Sequence, residues 1–173
     1  AILDINGRFS FDSRIKESGY YRLKINNQTF LNLVLEKNDS PIINGNGKDL
    51  MESYTVDGSN ESKRLKEFQA AYSQNDLFLD SLQKVLKANL NDQKMMAQLQ
   101  KSKDASISRM NNTFIGLINE KSGSLVSLAV VQQLDSVKYA DFYKQVAEAL
   151  TEKLYDDPWV IVFHEKVKSM DNL

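Results

Sequence analysis

The chain has 173 residues, no cysteine, one histidine, and 22 basic against 23 acidic residues, for a formal net charge of −1. The absence of cysteine excludes disulfides, thiolate zinc sites and thiol catalysis within these residues. Balanced charge without a one-sided basic stripe argues against a nucleic-acid partner, and no apolar run approaches the roughly 18 residues that a membrane span needs. The first residues lack the basic end and apolar run of a signal peptide. Because the chain does not begin with methionine, we expect it to be a segment of a longer protein.

The first third of the chain is typical of short β-strands joined by Asn/Gly turns. Strands are predicted at 8–11, 20–25, 29–35, 41–43 and 54–56. The run 29–35 is apolar on both faces, which favours the most central position in a sheet. Short turns between consecutive strands predict an antiparallel, sandwich-like sheet. Since the chain opens beside the Asn6-Gly7 turn, we expect earlier strands to be missing from it.

A switch from strands to helices is predicted at Asp57-Gly58-Ser59, with Ser59 or Asn60 as the first helix cap. Apolar residues then recur at steps of three and four, first from Leu65 to Leu86 and again from Met96 to Leu117. Two long amphipathic helices with a short polar connection predict an antiparallel hairpin. The predicted domains are therefore a β domain at 1–58 and a helical domain at 59–173.

Three further helices are predicted after the hairpin. Gly123 suits a left-handed closing position, Ser124 caps a short apolar helix, and Asp135-Ser136 begins the next. Asp157-Pro158 begins the last helix, because aspartate caps and proline fits the first turn. Its predicted buried stripe consists of Trp159, Val162, Phe163, Val167 and Met170. The fold class is α+β, a small antiparallel β part followed by an all-α part.

The sequence predicts no catalytic, cofactor-binding or metal-binding residue. His164 is the only histidine, so a catalytic triad or a histidine-rich metal site cannot be assembled without it. The Gly45-Asn46-Gly47 stretch is too short for a phosphate loop and is interpreted as a turn. Asp156-Asp157 is interpreted as helix-cap chemistry.

Other polar and apolar groupings also have structural interpretations. Asp76 and Asp80, with Asp92 beyond them, are expected to be solvated, since no loop gathers them into a cation site. Met95-Met96 could form a partner-binding face but is more typical of core packing. The Asn-x-Ser/Thr triplets at Asn27, Asn38, Asn60 and Asn111 would matter only in a protein secreted by a eukaryote.

Several motifs resemble one known domain. They are the run Asp4-Ile5-Asn6-Gly7-Arg8-Phe9-Ser10-Phe11, the run Gly19-Tyr20-Tyr21-Arg22-Leu23, the run Leu33-Val34-Leu35-Glu36-Lys37-Asn38-Asp39 and the junction Val56-Asp57-Gly58-Ser59-Asn60-Glu61-Ser62. Together they resemble the N-terminal domain that precedes the thioredoxin-like module in Bacteroidetes-type envelope thiol–disulfide oxidoreductases. The Tyr139 to Leu154 stretch is similar to a helix of that domain. These motifs are turn glycines, strand aromatics and a helix cap, and none is a catalytic signature.

The resemblance implies a non-catalytic accessory domain in the periplasm or cell envelope, in an exported or membrane-anchored parent protein. Its expected partners are a downstream thioredoxin-like domain that carries a Cys-x-x-Cys pair, substrate proteins, or a second copy. No enzyme activity and no cofactor are expected for these residues themselves. A stand-alone envelope or lipoprotein binding module is the alternative function, and a coiled-coil assembly protein is a third, based on the heptad-like spacing from Leu65 to Leu86.

Overall fold

The computed structural model describes residues 4–5, 7–8, 10, 15–46, 49–89 and 92–170. Its elements are β1 (Gly19–Lys24), β2 (Phe30–Leu35), β3 (Ile42–Asn44), α1 (Leu50–Ser53), β4 (Thr55–Asp57), α2 (Asn60–Ala88), α3 (Gln93–Glu120), α4 (Leu125–Val131), α5 (Ala140–Thr151) and α6 (Pro158–Met170). Strands followed by helices confirm the predicted α+β class. Two compact units divide the chain, Ala1–Ser62 and Lys63–Leu173. The division therefore falls within the first turn of α2, whereas the sequence placed it at residue 58.

The strands of the β unit pair in antiparallel fashion as predicted, but within the described residues they form two separate two-stranded sheets. β1 pairs with β2 from Gly19 opposite Leu35 to Lys24 opposite Phe30, and β3 pairs with β4. The prediction that β2 is a central strand is wrong for this part of the chain. β2 pairs with β1 alone among the described strands, and hydroxyl groups also bind its backbone: the Val34 carbonyl accepts hydrogen bonds from Ser59 Oγ and Ser62 Oγ at 3.1 and 2.8 Å.

A small hydrophobic core holds the β unit together. Its buried members are Leu31, Leu50, Tyr54 and Val56, with Leu23 and Ile43 packed against them. Leu50 comes from α1, a single helical turn that the sequence patterns did not predict. The strand predicted at 8–11 includes Phe9 and Phe11, which lie outside the described residues, as does Gly47 of the predicted turn.

The long helices α2 and α3 form the predicted antiparallel hairpin. The rings of Phe68 and Phe114 lie 5.3 Å apart between centroids, and Ser106 Oγ donates a 2.8 Å hydrogen bond to Asn75 Oδ1. Asn75 follows Phe68 along α2, whereas its partner Ser106 precedes Phe114 along α3. The two helices therefore run antiparallel. Ser59 caps α2, since it accepts from the Ser62 N–H at 3.2 Å.

The short helix α4 is the most buried helix of the second unit. Leu125, Val126, Ser127, Leu128, Val130 and Val131 are all buried. Ser124 is its N-cap, as predicted, and accepts from the Ser127 N–H at 3.1 Å. A helix that is apolar on every side is stable only when neighbouring elements surround it, and α3 and α5 both contact α4.

Two sequence predictions for this unit are wrong: one concerns the backbone conformation of Gly123, and the other concerns the residue at which α5 begins. Gly123 does not adopt the left-handed backbone conformation; it is required because a Cβ there would lie 2.8 Å from the Ala149 carbonyl oxygen. Asp135 does not begin α5 directly but closes a turn, accepting from the N–H groups of Val137 and Lys138 at 3.0 and 2.8 Å. α5 itself begins at Ala140.

Candidate interaction surface

The last helix, α6, begins as predicted. Asp157 Oδ1 accepts hydrogen bonds from the N–H groups of Trp159 and Val160 at 2.8 and 3.3 Å. This cap satisfies two of the backbone donors that every helix start leaves open. Proline at the first position needs no such partner, because it has no N–H.

The buried stripe of α6 differs from the predicted one. Val160, Phe163 and Val167 are buried, and the Phe163 ring lies 5.8 Å from the Tyr143 ring of α5. Trp159 and Val162, which the sequence assigned to the core, are 68% and 69% exposed. Apolar residues occupy two adjoining sides of this helix, and packing against α5 buries only one of them.

The exposed side forms a surface that we call the outer face of α6, defined by Trp159, Val162 and Lys166. Their spacing of three and four residues places them on one side of the helix. Tyr155, in the turn before α6, is 72% exposed. The ammonium group of Lys166 lies 5.6 Å from the Tyr143 ring centroid, within the range of a cation–π contact. An exposed tryptophan with an adjoining aliphatic side chain is typical of protein contact sites.

A buried arginine joins helices elsewhere in the helical unit. The Arg64 guanidinium of α2 donates to Ser124 Oγ at 2.8 Å, to Ser127 Oγ at 3.2 Å and to the Leu117 carbonyl. Glu120 Oε2 lies 3.4 Å from Arg64 Nε. Arg64 thus joins α2 to the end of α3 and the start of α4. Sequence reasoning missed it because a lone arginine on an amphipathic helix gives no sign that it will be buried.

The only histidine lies on α6 next to a local ion pair. His164 is half-buried on α6 beside Glu165, whose carboxylate accepts from Lys168 Nζ at 3.0 Å. This hydrogen bond and the charge of Lys168, with a smaller effect from His164, lower the pKa of Glu165. The side chains of Glu165 and Lys168 are exposed, so their ion pair is ordinary helix-surface chemistry.

The other residues singled out in the sequence have local structural roles. Asp92 caps α3, accepting from the Met95 N–H at 2.9 Å, and Asp76 and Asp80 are exposed. Asn46 donates its N–H to Ser53 Oγ at 2.8 Å, which closes the turn after β3. Among the described residues, no three His, Cys, Asp or Glu side chains are grouped to hold a metal ion.

Met95 and Met96 are half-buried on α3. The four glycosylation-type triplets also fall on ordinary structural positions. Asn38 has a positive φ of 73°, and Asn111 Nδ2 donates to the Tyr139 hydroxyl at 3.3 Å. Asn60 is the first residue of α2, and Asn27 lies in the turn between β1 and β2.

Across the part of the chain that the structure describes, no helix combines the length and the apolar character needed to span a bilayer. Comparison with protein-family models, with curated proteins and with solved structures returned no match. The surface on α6 is therefore interpreted from its own chemistry.

Proposed function

We propose that this chain is a non-catalytic accessory domain of a thioredoxin-like thiol–disulfide oxidoreductase of the cell envelope. It acts by contact, either positioning the redox module or binding partner proteins. The observation that supports a contact role best is the outer face of α6, where Trp159 and Val162 are more than two-thirds exposed. The link to thiol–disulfide chemistry comes from the turn, strand and cap motifs of the sequence.

The chemical step belongs to cysteines outside these 173 residues, since the chain has none. In a Cys-x-x-Cys module, a low-pKa thiolate attacks a substrate disulfide through a mixed-disulfide intermediate. The accessory domain contributes a rigid surface that orients the module or the substrate protein. Loss of that surface is expected to weaken binding and to leave the thiol chemistry intact.

Insulin reduction tests whether the redox activity resides outside the 173-residue chain. The 173-residue chain is compared with a longer protein that includes the reading frame after Leu173. We expect the longer protein to carry a Cys-x-x-Cys pair and to reduce insulin in the presence of dithiothreitol, and the shorter chain to give no rate above background. Turnover by the shorter chain contradicts the proposal, and a stop codon directly after Leu173 favours a stand-alone binding module.

A second experiment tests the outer face of α6. Binding of the 173-residue chain to the separately produced redox module is measured by isothermal titration calorimetry. Trp159→Ser is expected to raise the Kd at least about tenfold, since a buried interface tryptophan commonly contributes 2 kcal/mol or more. The control is Ile161→Ser, which removes another exposed apolar side chain, 49% exposed, from a different side of α6. Equal effects of the two variants argue against this face.

A further inference from the structure

The half of the helical hairpin nearest its connection leaves its apolar side chains poorly covered. We call residues 72–88 of α2 and 93–110 of α3 the distal hairpin. Among its described large apolar side chains, only Leu99 is buried; along the seam Tyr72 is 45% exposed, and Leu79 and Leu86 are half-buried. Two helices alone cannot enclose such a seam, because each covers only one side of the other.

The contacts of the hairpin define which side of α2 remains open. Phe68 and Asn75 face α3, and Leu82 continues this line at the same spacing of seven residues. Beside it runs a second apolar line with the same spacing, made of Tyr72, Leu79 and Leu86. On α3, Met96 and Ile107 occupy the positions that correspond to this second line, and both are half-buried.

Charged residues border this second line in a self-complementary order. Asp76 and Asp80 come first along α2, and Lys84 and Lys87 follow nearer the connection, at steps of three and four residues that keep them on one side of the helix. All four side chains are exposed. If two copies of α2 cross in antiparallel orientation about Leu82, Asp76 meets Lys87 of the second copy and Asp80 meets Lys84. A parallel pairing would place like charges together.

We propose that two copies of this chain pair through their distal hairpins in antiparallel orientation, forming a four-helix bundle. The apolar line of Tyr72, Leu79 and Leu86 lies in its core. The distal part of each helix is about 25 Å long and two helices are about 20 Å wide, so the pair would bury roughly 1,000 Å² in total, the lower end for a specific interface. This inference does not depend on the proposed redox role.

Sedimentation equilibrium of the 173-residue chain tests the pairing. We expect the mass to rise from the monomer value of 19.7 kDa towards twice that value with concentration, as mass action requires. A double variant, Asp76→Lys with Asp80→Lys, and a second, Lys84→Glu with Lys87→Glu, should each weaken pairing at least about tenfold. An equimolar mixture of the two variants should pair again, because only contacts between different chains are restored by mixing.

The cysteine-free chain allows an independent check of the surface. Gln83→Cys lies close to the expected two-fold axis, on the open side of α2, and should be joined into a dimer by a short bismaleimide cross-linker. Val85→Cys, also exposed but on the side of α2 that faces away from Asp76 and Asp80, is the control and should not be joined. A monomer at all concentrations overturns the proposal, as does pairing that both charge variants leave unchanged or cross-linking of Val85→Cys alone.

Discussion

At the residue scale, two glycines of this chain show how different the same residue can be in two settings. Gly58 follows β4 with a φ of +71°, and a Cβ there would lie 2.2 Å from the Ser40 carbonyl oxygen. Gly116 lies within α3, and a Cβ there would have no neighbouring atom within 4 Å. Only the first glycine is required by its surroundings.

We therefore expect opposite effects from the same substitution. Gly58→Ala should lower the free energy of unfolding by at least about 2 kcal/mol, because the left-handed backbone and the close carbonyl both oppose a side chain. Gly116→Ala should raise it by roughly 0.5–1 kcal/mol, since alanine is the better helix former. Urea unfolding followed by circular dichroism measures both. Similar losses in the two variants would contradict the assignment of Gly58 to a constrained turn.

At the scale of elements, Arg64 ties three helices together. The Leu117 carbonyl is among the last four of α3, which have no partner within the helix, and a cation at that end is favoured by the helix dipole. Ser124 is the N-cap of α4. The hydrogen bonds contribute more than the pairing with Glu120, whose side chain is 62% exposed.

Replacing Arg64 should be costly because its acceptors remain buried. Arg64→Leu is expected to lower the free energy of unfolding by about 3 kcal/mol, since the Leu117 carbonyl and both serine hydroxyls lose a buried charged donor. Arg64→Lys should recover only part of this loss, because one ammonium group cannot match the planar fork of donors. The control is Arg109→Leu at an exposed position of α3, expected to change stability by less than about 0.5 kcal/mol. Equal losses at the two positions would show that Arg64 does not hold these helices together.

At the scale of the whole molecule, each unit contains a buried tyrosine whose hydroxyl is hindered from ionising by its surroundings. Burial raises the pKa of Tyr54 in the β unit. Burial first, and then the negative charge of Asp135, raises the pKa of Tyr143 in the helical unit. The Tyr143 hydroxyl donates a 3.0 Å hydrogen bond to the Leu134 carbonyl, which requires the protonated form.

Alkaline pH should therefore destabilise both units. In the unfolded chain tyrosine ionises near pH 10, while the folded chain retains these protons, so the unfolded state binds fewer protons above that pH and stability falls as pH rises. Below about pH 10 the contribution is fully present. Urea midpoints measured from pH 8 to 11 should decline, and Tyr143→Phe should make the decline of the helical unit shallower while costing about 1 kcal/mol at pH 8. If the urea midpoint of Tyr143→Phe declines with pH as steeply as that of the unsubstituted chain, Tyr143 is excluded as a source of the alkaline destabilisation.

Much of the fold follows from local patterns in the sequence. Period-two alternation placed β1, steps of three and four placed α2 and α3, and cap residues marked real helix starts at Ser59, Ser124 and Asp157. Such signals are readable because backbone hydrogen bonding and side-chain periodicity are local. The sequence also determined that thiol chemistry cannot reside in these residues, because no cysteine is present.

Only the tertiary structure decided which of several apolar sides is covered. α6 carries Trp159 and Val162 on one side and Val160 and Phe163 on the next, and local spacing permits either to face inwards. Packing against Tyr143 selects the second side and leaves the tryptophan in solvent. In the same way, the hydroxyl of the cap residue Ser59 and that of Ser62 in α2 bind the Val34 carbonyl. Burial depends on partners distant in sequence, so a contact surface, unlike a catalytic motif, has no local signature.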